Sequence, residues 1–407
     1  MFHSKRWLQI FLIVLILCFI FSCSAIKAIK LIKSGEAYQT DKKGVTIPFN
    51  LAGHLILITA QINNSPKKYN FIFDTGALTV IDDDVAEEFQ LKKSISITGK
   101  GSSGSSKTIR LNKLRSLNIG EIGVKDCAVA VFDLAKMDKD IDGILGSNFL
   151  RHFKVILDYR NRIIKFVHQF KFEDNTNTDL ITIPFEQDFK NGFAPKIKCL
   201  INNRWKIDGI IDTGSSELAS LPLSAMKKMP AFNNGKILAS NGSMSGGAFG
   251  RSEKEFLLRV NKLKIGDFEL MDFASQSNNT QKILIGKSFL SNFIVRLDYP
   301  NGEMILQPYS ETNIKHEIYT YGVALDKKQD KTLCTGVWEN SSADKNGIKP
   351  GDEFISVNSQ KTSELSMIEL MLLFRYKESS ELELVYLSNG KRNKVTLQKE
   401  KLVPPGE

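Results

Sequence analysis

Cysteine is scarce in this chain: five occur among 407 residues, and they are far apart. None belongs to a closely spaced pair of the kind that holds zinc. Cys18 lies in the N-terminal apolar run and Cys23 directly after it, which leaves Cys127, Cys199 and Cys334 for the rest of the protein. Three widely spaced cysteines do not make a disulfide framework. The sequence therefore predicts buried, unpaired thiols, with no metal site and no cofactor.

Extremes of charge and hydropathy are also missing. Hydrophobic residues make up 42% of the sequence and charged residues 25%, which argues against disorder and against a protein with many membrane spans. The net charge of +10 comes from lysines that are spread along the chain and interleaved with acids. This dispersed pattern predicts a solvated basic surface and no binding of nucleic acid.

One long apolar run is present at Leu8–Phe21, after Lys5 and Arg6. A charged start followed by such a run is typical of a signal peptide. The run ends at Ser22 and Cys23, and this junction resembles a bacterial lipoprotein signal, which implies cleavage before Cys23 and lipid attachment to it. An uncleaved membrane anchor and an ordinary signal peptide are the alternatives. All three place the rest of the chain outside the cytoplasm, in the cell envelope, facing the periplasm or the outside.

From Val45 onward, short runs of β-branched and aromatic residues alternate with turns of Gly, Asn, Asp and Ser. Leu55–Ala60, Lys107–Leu111 and Cys127–Phe132 are examples of such runs. Strand-like runs at this short spacing predict an all-β barrel or sandwich.

An internal repeat organises this β-rich region. In each copy a hydrophobic strand leads into Asp-Thr-Gly, at 74–76 and at 212–214. Two hydrophobic residues and a glycine follow at 144–146 and 284–286, and then Leu-Asp-Tyr at 157–159 and 297–299. The offset between the copies is about 140 residues at each landmark, so the sequence predicts a duplicated fold.

Paired aspartates are suited to hydrolysis by an activated water. One carboxylate of a facing pair can take a proton from water while its protonated partner polarises the carbonyl of the substrate. Two like charges held so close share one proton. Gly76 and Gly214 allow a tight turn and a close approach, and Thr75 and Thr213 carry hydroxyls that can bond across the seam between the copies. A single Asp-Thr-Gly is more often a plain turn, so the argument depends on the repeat.

The combined motifs resemble the pepsin and retropepsin superfamily of aspartic peptidases, and most of all the bacterial members with two lobes in one chain. The resemblance covers about residues 46–308. It implies a mainly β fold, in which two retropepsin-like β-barrel lobes form a pseudo-dimer with Asp74 and Asp212 as the catalytic pair. The resemblance also implies a set of residues that support this pair, namely Thr75, Gly76, Thr213, Gly214 and Ser215. Because both lobes belong to one chain, we expect an active monomer.

Members of this superfamily close a β-hairpin flap over the substrate. Residues 98–107 and 241–250 are glycine-rich and occupy corresponding places in the two copies, so each is interpreted as a flap or as a plain flexible loop. The glycines in question are Gly99, Gly101, Gly104, Gly242, Gly246 and Gly247. Neither stretch has the tyrosine of the pepsin flap, and Ala77 stands where many members have serine.

The C-terminal part has a different pattern. Residues 340–343 and 347–352, with a helix from about Ser366, resemble a PDZ domain. The resemblance implies a groove that takes up an extended chain end as an added strand. It also implies that the loop and strand facing the bound carboxylate contain Tyr321, Gly322 and Val323.

The predicted organisation is a signal peptide, a tether, two peptidase lobes and a PDZ domain, at residues 1–22, 23–45, 46–176, 177–312 and 313–402. The predicted function is an aspartic endopeptidase that acts on proteins or peptides and is held at the membrane by its N-terminus. A catalytically silent, peptide-binding envelope lipoprotein is one alternative, and a structural envelope protein is another. Both aspartates are present, which favours the enzyme.

Overall fold

The fold is known from a computed structural model that describes most of the chain. The described residues are 26–39, 44–91, 95–101, 103–134, 137–170, 180–247, 250–309, 314, 317–376 and 378–403. The predicted signal peptide at 1–22 and the predicted lipid-attachment residue Cys23 lie outside them. Within these ranges no helix is both long enough and apolar enough to cross a bilayer.

The described residues between 26 and 170 form lobe 1. Its strands are β1 Glu36–Gln39, β2 Val45–Pro48, β3 Asn50–Ala52, β4 Leu55–Ile62, β5 Tyr69–Phe73, β6 Val80–Ile81, β7 Ile95–Lys100, β8 Ser106–Ile119, β9 Ile122–Val131, β10 Gly143–Leu145, β11 Lys154–Asp158 and β12 Ile163–Val167. Its short helices are α1 Asp83–Glu88 and α2 Ser147–Leu150.

Residues 180–309 form lobe 2. Its strands are β13 Ile181–Pro184, β14 Glu186–Asp188, β15 Ala194–Ile201, β16 Trp205–Ile211, β17 Ala219–Pro222, β18 Ile237–Gly242, β19 Gly246–Gly247, β20 Gly250–Arg251, β21 Phe256–Ile265, β22 Phe268–Asn278, β23 Ile283–Ile285, β24 Phe293–Asp298 and β25 Glu303–Pro308. Its helices are α3 Leu223–Met226, α4 Pro230–Asn233 and α5 Lys287–Leu290, with a 3₁₀ turn at Phe189–Asn191.

Residues 317–403 form the C-terminal domain. Its strands are β26 Tyr319–Thr320, β27 Val323–Lys328, β28 Lys331–Trp338, β29 Glu353–Val357, β30 Gln360–Lys361, β31 Glu381–Ser388, β32 Lys391–Gln398 and β33 Glu400–Lys401. Its helices are α6 Ser342–Lys345 and α7 Met367–Met371, with a 3₁₀ turn at Thr362–Glu364 and a π-helical turn at Leu372–Tyr376.

The two lobes repeat one strand arrangement. In lobe 1, β5 pairs antiparallel with β4 and parallel with β10. In lobe 2, β16 pairs antiparallel with β15 and parallel with β23. The chain is therefore mainly β, with barrel-like lobes, and the predicted fold class is confirmed.

Strands from both lobes join in one six-stranded sheet. Its order is β13-β25-β24-β11-β12-β2, and the lobes meet where β11 pairs antiparallel with β24. The pairing places Leu157 beside Val295, both fully buried in a hydrophobic core that continues through the two lobes. A shared sheet and a shared core fix the orientation of one lobe against the other.

Part of the predicted tether is instead built into lobe 1. Residues 26–32 are helical, and β1 pairs with β9 from Glu36↔Lys125 to Gln39↔Ile122. Ala28 is buried beside Ile109 and Leu111, with Leu31 packed against them. The short apolar pieces of this segment cover an apolar face of lobe 1, which explains why they are not a solvated spacer.

The C-terminal domain is also joined to its neighbour by strand pairing. β18 of lobe 2 pairs with β28, and the register includes Ser240↔Trp338 and Gly242↔Gly336. Trp338 is buried at this seam with Leu257 of lobe 2. The sheet of lobe 2 and the sheet of the C-terminal domain are thus one continuous 14-stranded sheet.

Candidate active site

Each Asp-Thr-Gly turn begins where a buried strand ends. Phe71 and Phe73 of β5 are fully buried, and the amide of Asp74 donates to the carbonyl of Leu145 on the parallel strand β10, at 3.0 Å. In lobe 2 the amide of Asp212 donates to the carbonyl of Ile285 at 2.9 Å. Backbone pairing with the neighbouring parallel strand therefore fixes the position of each aspartate along the sheet, independently of its side-chain contacts.

Two threonines bond the turns to each other. The Thr75 hydroxyl donates to the carbonyl of Ile211 at 2.7 Å, and the Thr213 hydroxyl donates to the carbonyl of Phe73 at 3.0 Å. Each hydroxyl also accepts the amide of the other threonine, at 3.0 and 3.1 Å. Both threonines are buried, so all four bonds form away from water and hold the two lobes in register.

Glycine is required next to each aspartate. A Cβ atom on Gly76 would lie 2.6 Å from Cγ of Asp212, and one on Gly214 would lie 2.4 Å from Oδ2 of Asp74. The same glycines donate their amides, Gly76 to Asp74 Oδ1 at 2.7 Å and Gly214 to Asp212 Oδ1 at 3.0 Å. Each turn thus holds its own carboxylate and leaves room for that of the other lobe.

The two carboxyl groups share a hydrogen bond and titrate as a pair. Burial raises the pKa of Asp212 well above its ordinary value, and the negative charge of Asp74 raises it further. Burial also raises the pKa of Asp74, but the Gly76 amide and the bond from Asp212 oppose that shift. The pair therefore retains one proton above the usual range of aspartate.

The glycines of the 144–146 and 284–286 motifs lie behind the turns. A Cβ on Gly146 would lie 2.4 Å from the carbonyl oxygen of Ala77, and one on Gly286 would lie 2.4 Å from that of Glu217. The amide of Ser147 donates to Ala77 at 2.8 Å, and that of Lys287 donates to Ser215 at 2.8 Å. These motifs support the chain that leaves each aspartate.

The predicted first flap is a β-hairpin made by β7 and β8. Gly99 pairs with Lys107, and Gly101 and Gly104 form its tip. Gly104 has a φ of +83° and packs on Asn279 of lobe 2, whose side-chain amide donates to the Ser103 carbonyl at 3.1 Å. The hairpin therefore reaches across from lobe 1 and rests on lobe 2.

The predicted second flap is divided between two structures. Gly246 and Gly247 form β19, which pairs with β20, and a Cβ on Gly250 would lie 3.4 Å from the side chain of Ser105, so the tips of the two hairpins meet. Gly242 lies instead in β18 and pairs with Gly336 of the C-terminal domain. Its φ is +79°, and a Cβ there would lie 2.3 Å from the Thr335 carbonyl, so this glycine serves the close approach of two strands.

Of the predicted groove residues, Val323 begins the edge strand β27, whose described partner is β28. Tyr321 is a core residue with 1% exposure, and its hydroxyl donates to the Ser379 carbonyl at 2.7 Å. The amide of Gly322 donates to the Thr320 hydroxyl at 2.9 Å. A large aromatic ring gains more from burial than from lining a wet groove, which explains the position of Tyr321.

Sequence reasoning missed one group of residues beside Asp212. His54 of lobe 1, Ser216 and Glu217 of lobe 2, and Arg375 and Tyr376 of the C-terminal domain meet there, and we call this group the junction cluster. The Tyr376 hydroxyl and Nδ1 of His54 lie 2.9 Å apart, although the two residues are 322 positions apart in the sequence. No local pattern could have signalled this contact.

The described part of the chain has no group of three or more His, Cys, Asp and Glu residues placed to hold a metal ion. Cys127, Cys199 and Cys334 are buried and unpaired. The groups described at this site that can take part in chemistry are two carboxyl groups, backbone amides and hydroxyls.

The first Asp-Thr-Gly turn lies in a segment that is similar to a known protein family. A family model described as aspartyl protease matches residues 58–149, which contain the first Asp-Thr-Gly turn and the motif at 144–146. The search of curated proteins gave no match.

Proposed function

We propose that this chain is an aspartic endopeptidase that hydrolyses protein or peptide substrates through Asp74 and Asp212. The observation that carries the proposal is the pair of partly buried carboxyl groups, each delivered by its own Asp-Thr-Gly turn and held there by a glycine amide. The aspartyl protease match over residues 58–149 supports the same chemistry for lobe 1.

The shared proton gives the two aspartates complementary roles. The ionised carboxylate of the pair takes a proton from the attacking water. The protonated carboxyl group donates its proton to the substrate carbonyl oxygen as the tetrahedral intermediate forms. The first group then passes its new proton to the leaving amine while the second takes a proton back from a hydroxyl of the intermediate, so the C–N bond breaks, the carboxylic acid product forms and the pair is again singly protonated. The hairpin β7–β8, resting on Asn279, is placed to exclude bulk water during these steps.

The direct test is digestion of an unbiased peptide library by the chain that begins after the predicted signal peptide, with products identified by mass spectrometry. Cleavage at internal peptide bonds supports an endopeptidase. An intact library, under conditions where the protein is folded, would favour the silent, peptide-binding alternative.

The pH dependence of cleavage follows from the shared proton. We expect kcat/KM to fall at alkaline pH, as the pair loses its last proton, and to fall at strongly acid pH, as both aspartates become protonated. Since the pKa of Asp212 is raised well above its ordinary value, the alkaline limb should lie above the usual range for aspartate. Rates measured in buffers of constant ionic strength test this. Activity that keeps rising above neutral pH would contradict the assignment.

The C-terminal domain is proposed to bind an extended peptide end as a PDZ domain does. Its edge strand β27 is suited to pairing with an added strand, and α7 would form the other wall. Fluorescence anisotropy of labelled peptides with free or amidated C-termini tests this. Equal affinity for the two forms would argue against recognition of a chain end.

Attachment to the membrane is proposed from the N-terminal sequence alone. Cys23→Ser should abolish incorporation of a radioactive fatty acid, because the thiol that receives the lipid is removed. Labelling of the wild-type protein in bacteria, with the variant beside it, is the measurement. A wild-type protein without label would show that the anchor is not a lipid on Cys23.

A further inference from the structure

The junction cluster begins in the helix of the C-terminal domain that points toward the lobes. Ser366 caps α7 in a reciprocal capping box with Glu369, and the helix continues as the π-helical turn Leu372–Tyr376. Phe374 turns inward and stacks on Phe354 at 5.8 Å, while Arg375 and Tyr376 reach out of the domain. Short π-helical turns occur often at functional sites, where they redirect side chains that an α-helix would place elsewhere.

Tyr376 reaches the loop of Asp212 by two routes. Its ring stacks on His54 with centroids 6.1 Å apart, and His54 lies against the backbone of Gly214. Its hydroxyl also lies beside the side chain of Ser216. Gly53 allows the close packing, because a Cβ there would lie 2.5 Å from the Tyr376 ring.

Arg375 holds the next residue of the same loop. Its guanidinium forms an ion pair and hydrogen bond with Glu217, whose side chain is 12% exposed. Burial acts to lower the pKa of Arg375, but the charge of Glu217 and its hydrogen bond, together with the charges of Tyr376 and Glu255, raise the pKa overall. Residues 214, 216 and 217 of the loop are thus each held, directly or through His54, by the C-terminal domain.

Lobe 1 supports its equivalent segment with hydrogen bonds of its own. The amide of Thr79 donates to the Asn148 side chain at 2.7 Å, and the Ser147 hydroxyl donates to the Thr75 carbonyl at 2.7 Å. In lobe 2 the corresponding residues are Ser288 and Lys287. Ser288 donates to the Ser216 carbonyl at 2.7 Å and the Lys287 amide donates to the Ser215 carbonyl at 2.8 Å, and the junction cluster adds further contacts to this loop.

We propose that Arg375 and Tyr376 are positioning residues of the peptidase site, so that the C-terminal domain completes the support of the Asp212 loop. This inference rests on the proposed aspartic peptidase activity. The backbone amides of Gly214 and Ser215 are the groups whose placement is at stake, because both bond Asp212. The domain would then be a structural part of the catalytic unit, in addition to any peptide that its groove binds.

The pKa values of the Asp74–Asp212 pair, which we call the dyad, can be measured by titration. A purely structural role of Arg375 and Tyr376 would leave these pKa values unchanged. The titratable groups around the Asp212 loop are Asp74, His54, Tyr159, Glu217, Lys287, Arg375 and Tyr376. The pKa of His54 is lowered to about 3, first by burial and then by Arg375, so this side chain is neutral at working pH. Amides that bond Asp212 lower its pKa, so a loosened loop should raise the pKa values of the dyad.

The test compares Tyr376→Phe and Arg375→Gln with the wild type. We expect kcat to fall roughly 10- to 100-fold, as for a small misplacement of a catalytic group, and the acid limb of the pH profile to move to higher pH. KM should stay within about threefold for substrates of every length, because the lost contacts are with the loop. Arg375→Lys should recover part of kcat, since it keeps the charge opposite Glu217.

Tyr319→Phe and Arg392→Gln are the matched controls. Tyr319 is 57% exposed and Arg392 is also exposed, and both lie in the C-terminal domain outside the junction cluster, so kcat and the pH profile should not change. Variants of Tyr376 and Arg375 that keep wild-type kcat and pH profile would overturn the inference. A loss confined to KM, and growing with substrate length, would also overturn it, because it would make these side chains substrate contacts.

Carboxyl ¹³C titration of the dyad by NMR separates this inference from the proposed function. A wild-type protein that cleaves nothing defeats the proposed function. The positioning role is then still decided, because Tyr376→Phe should raise the pKa values of Asp74 and Asp212 relative to wild type and to Tyr319→Phe. Identical titration curves for the three proteins would refute it.

Discussion

Asp74→Asn and Asp212→Asn are each expected to reduce kcat by about 10⁴-fold, the upper end of what one positioned acid or base contributes. Asparagine has the shape of aspartate but cannot take a proton from water or deliver one to the carbonyl. The two groups act as a unit, so the double variant should be no worse than either single one. Steady-state cleavage of a fluorogenic peptide is the measurement, and near-normal turnover by either variant would contradict the shared dyad.

Asp267→Asn is the control for these variants, because Asp267 is 98% exposed and lies at a turn of lobe 2. It should cleave at the wild-type rate. A mixture of the Asp74→Asn and Asp212→Asn chains should stay inactive, since each molecule forms its own site from its own lobes. Restored cleavage in the mixture would mean that lobes pair between molecules.

Asp212→Asn also has a consequence for the stability of the fold. Because burial and Asp74 raise the pKa of Asp212 in the folded state, the folded protein keeps a proton that the unfolded chain has already released. The stability contributed by this group is present below the unfolded pKa and is lost as pH rises through the folded pKa. Asparagine removes that loss, so Asp212→Asn should melt at a higher temperature than wild type at neutral pH. This result would also show that the inactive variant is folded.

Gly214→Ala should lower kcat by roughly 100-fold or more, the penalty for displacing a reacting group by about 1 Å. The added methyl group would lie 2.4 Å from Oδ2 of Asp74, so the carboxyl group of the other lobe must move away. The alanine also weakens the amide contact that holds Asp212 Oδ1 at 3.0 Å. KM should change less than kcat, because the distortion is at the reacting groups.

Gly235→Ala is the control that separates the effect of backbone strain on kcat from the effect of displacing Asp74 and Asp212. Gly235 has a φ of +71°, and a Cβ there would meet nothing within 4 Å. Alanine at this position should cost stability through its backbone conformation while cleavage stays at the wild-type level. If Gly214→Ala and Gly235→Ala lowered kcat equally, crowding at the carboxyl pair would not be the cause.

The parts predictable from sequence are those with a repeated local pattern. Hydrophobic residues directly before Asp74 and Asp212 predict the strands that carry the turns, and the second occurrence makes the pattern specific. The contact of Tyr376 with His54 had no such pattern, because it depends on how a third domain packs against two others. Gly242 was predicted to lie in a flap for a related reason. Glycine is suited both to a flap tip and to the close approach of two paired strands, and its pairing with Gly336 is non-local.

The continuous sheet has a consequence for biosynthesis. Strand β18 of lobe 2 pairs with β28, which leaves the ribosome about a hundred residues later, or roughly 5–20 seconds at ordinary rates of synthesis. Until then the edge of β18 that faces β28 has no partner strand, and an open strand edge of this kind templates aggregation. Trp338 also arrives only then to cover Leu257. A nascent chain halted before residue 331 should therefore depend on chaperones, although Asp74 and Asp212 have already been made.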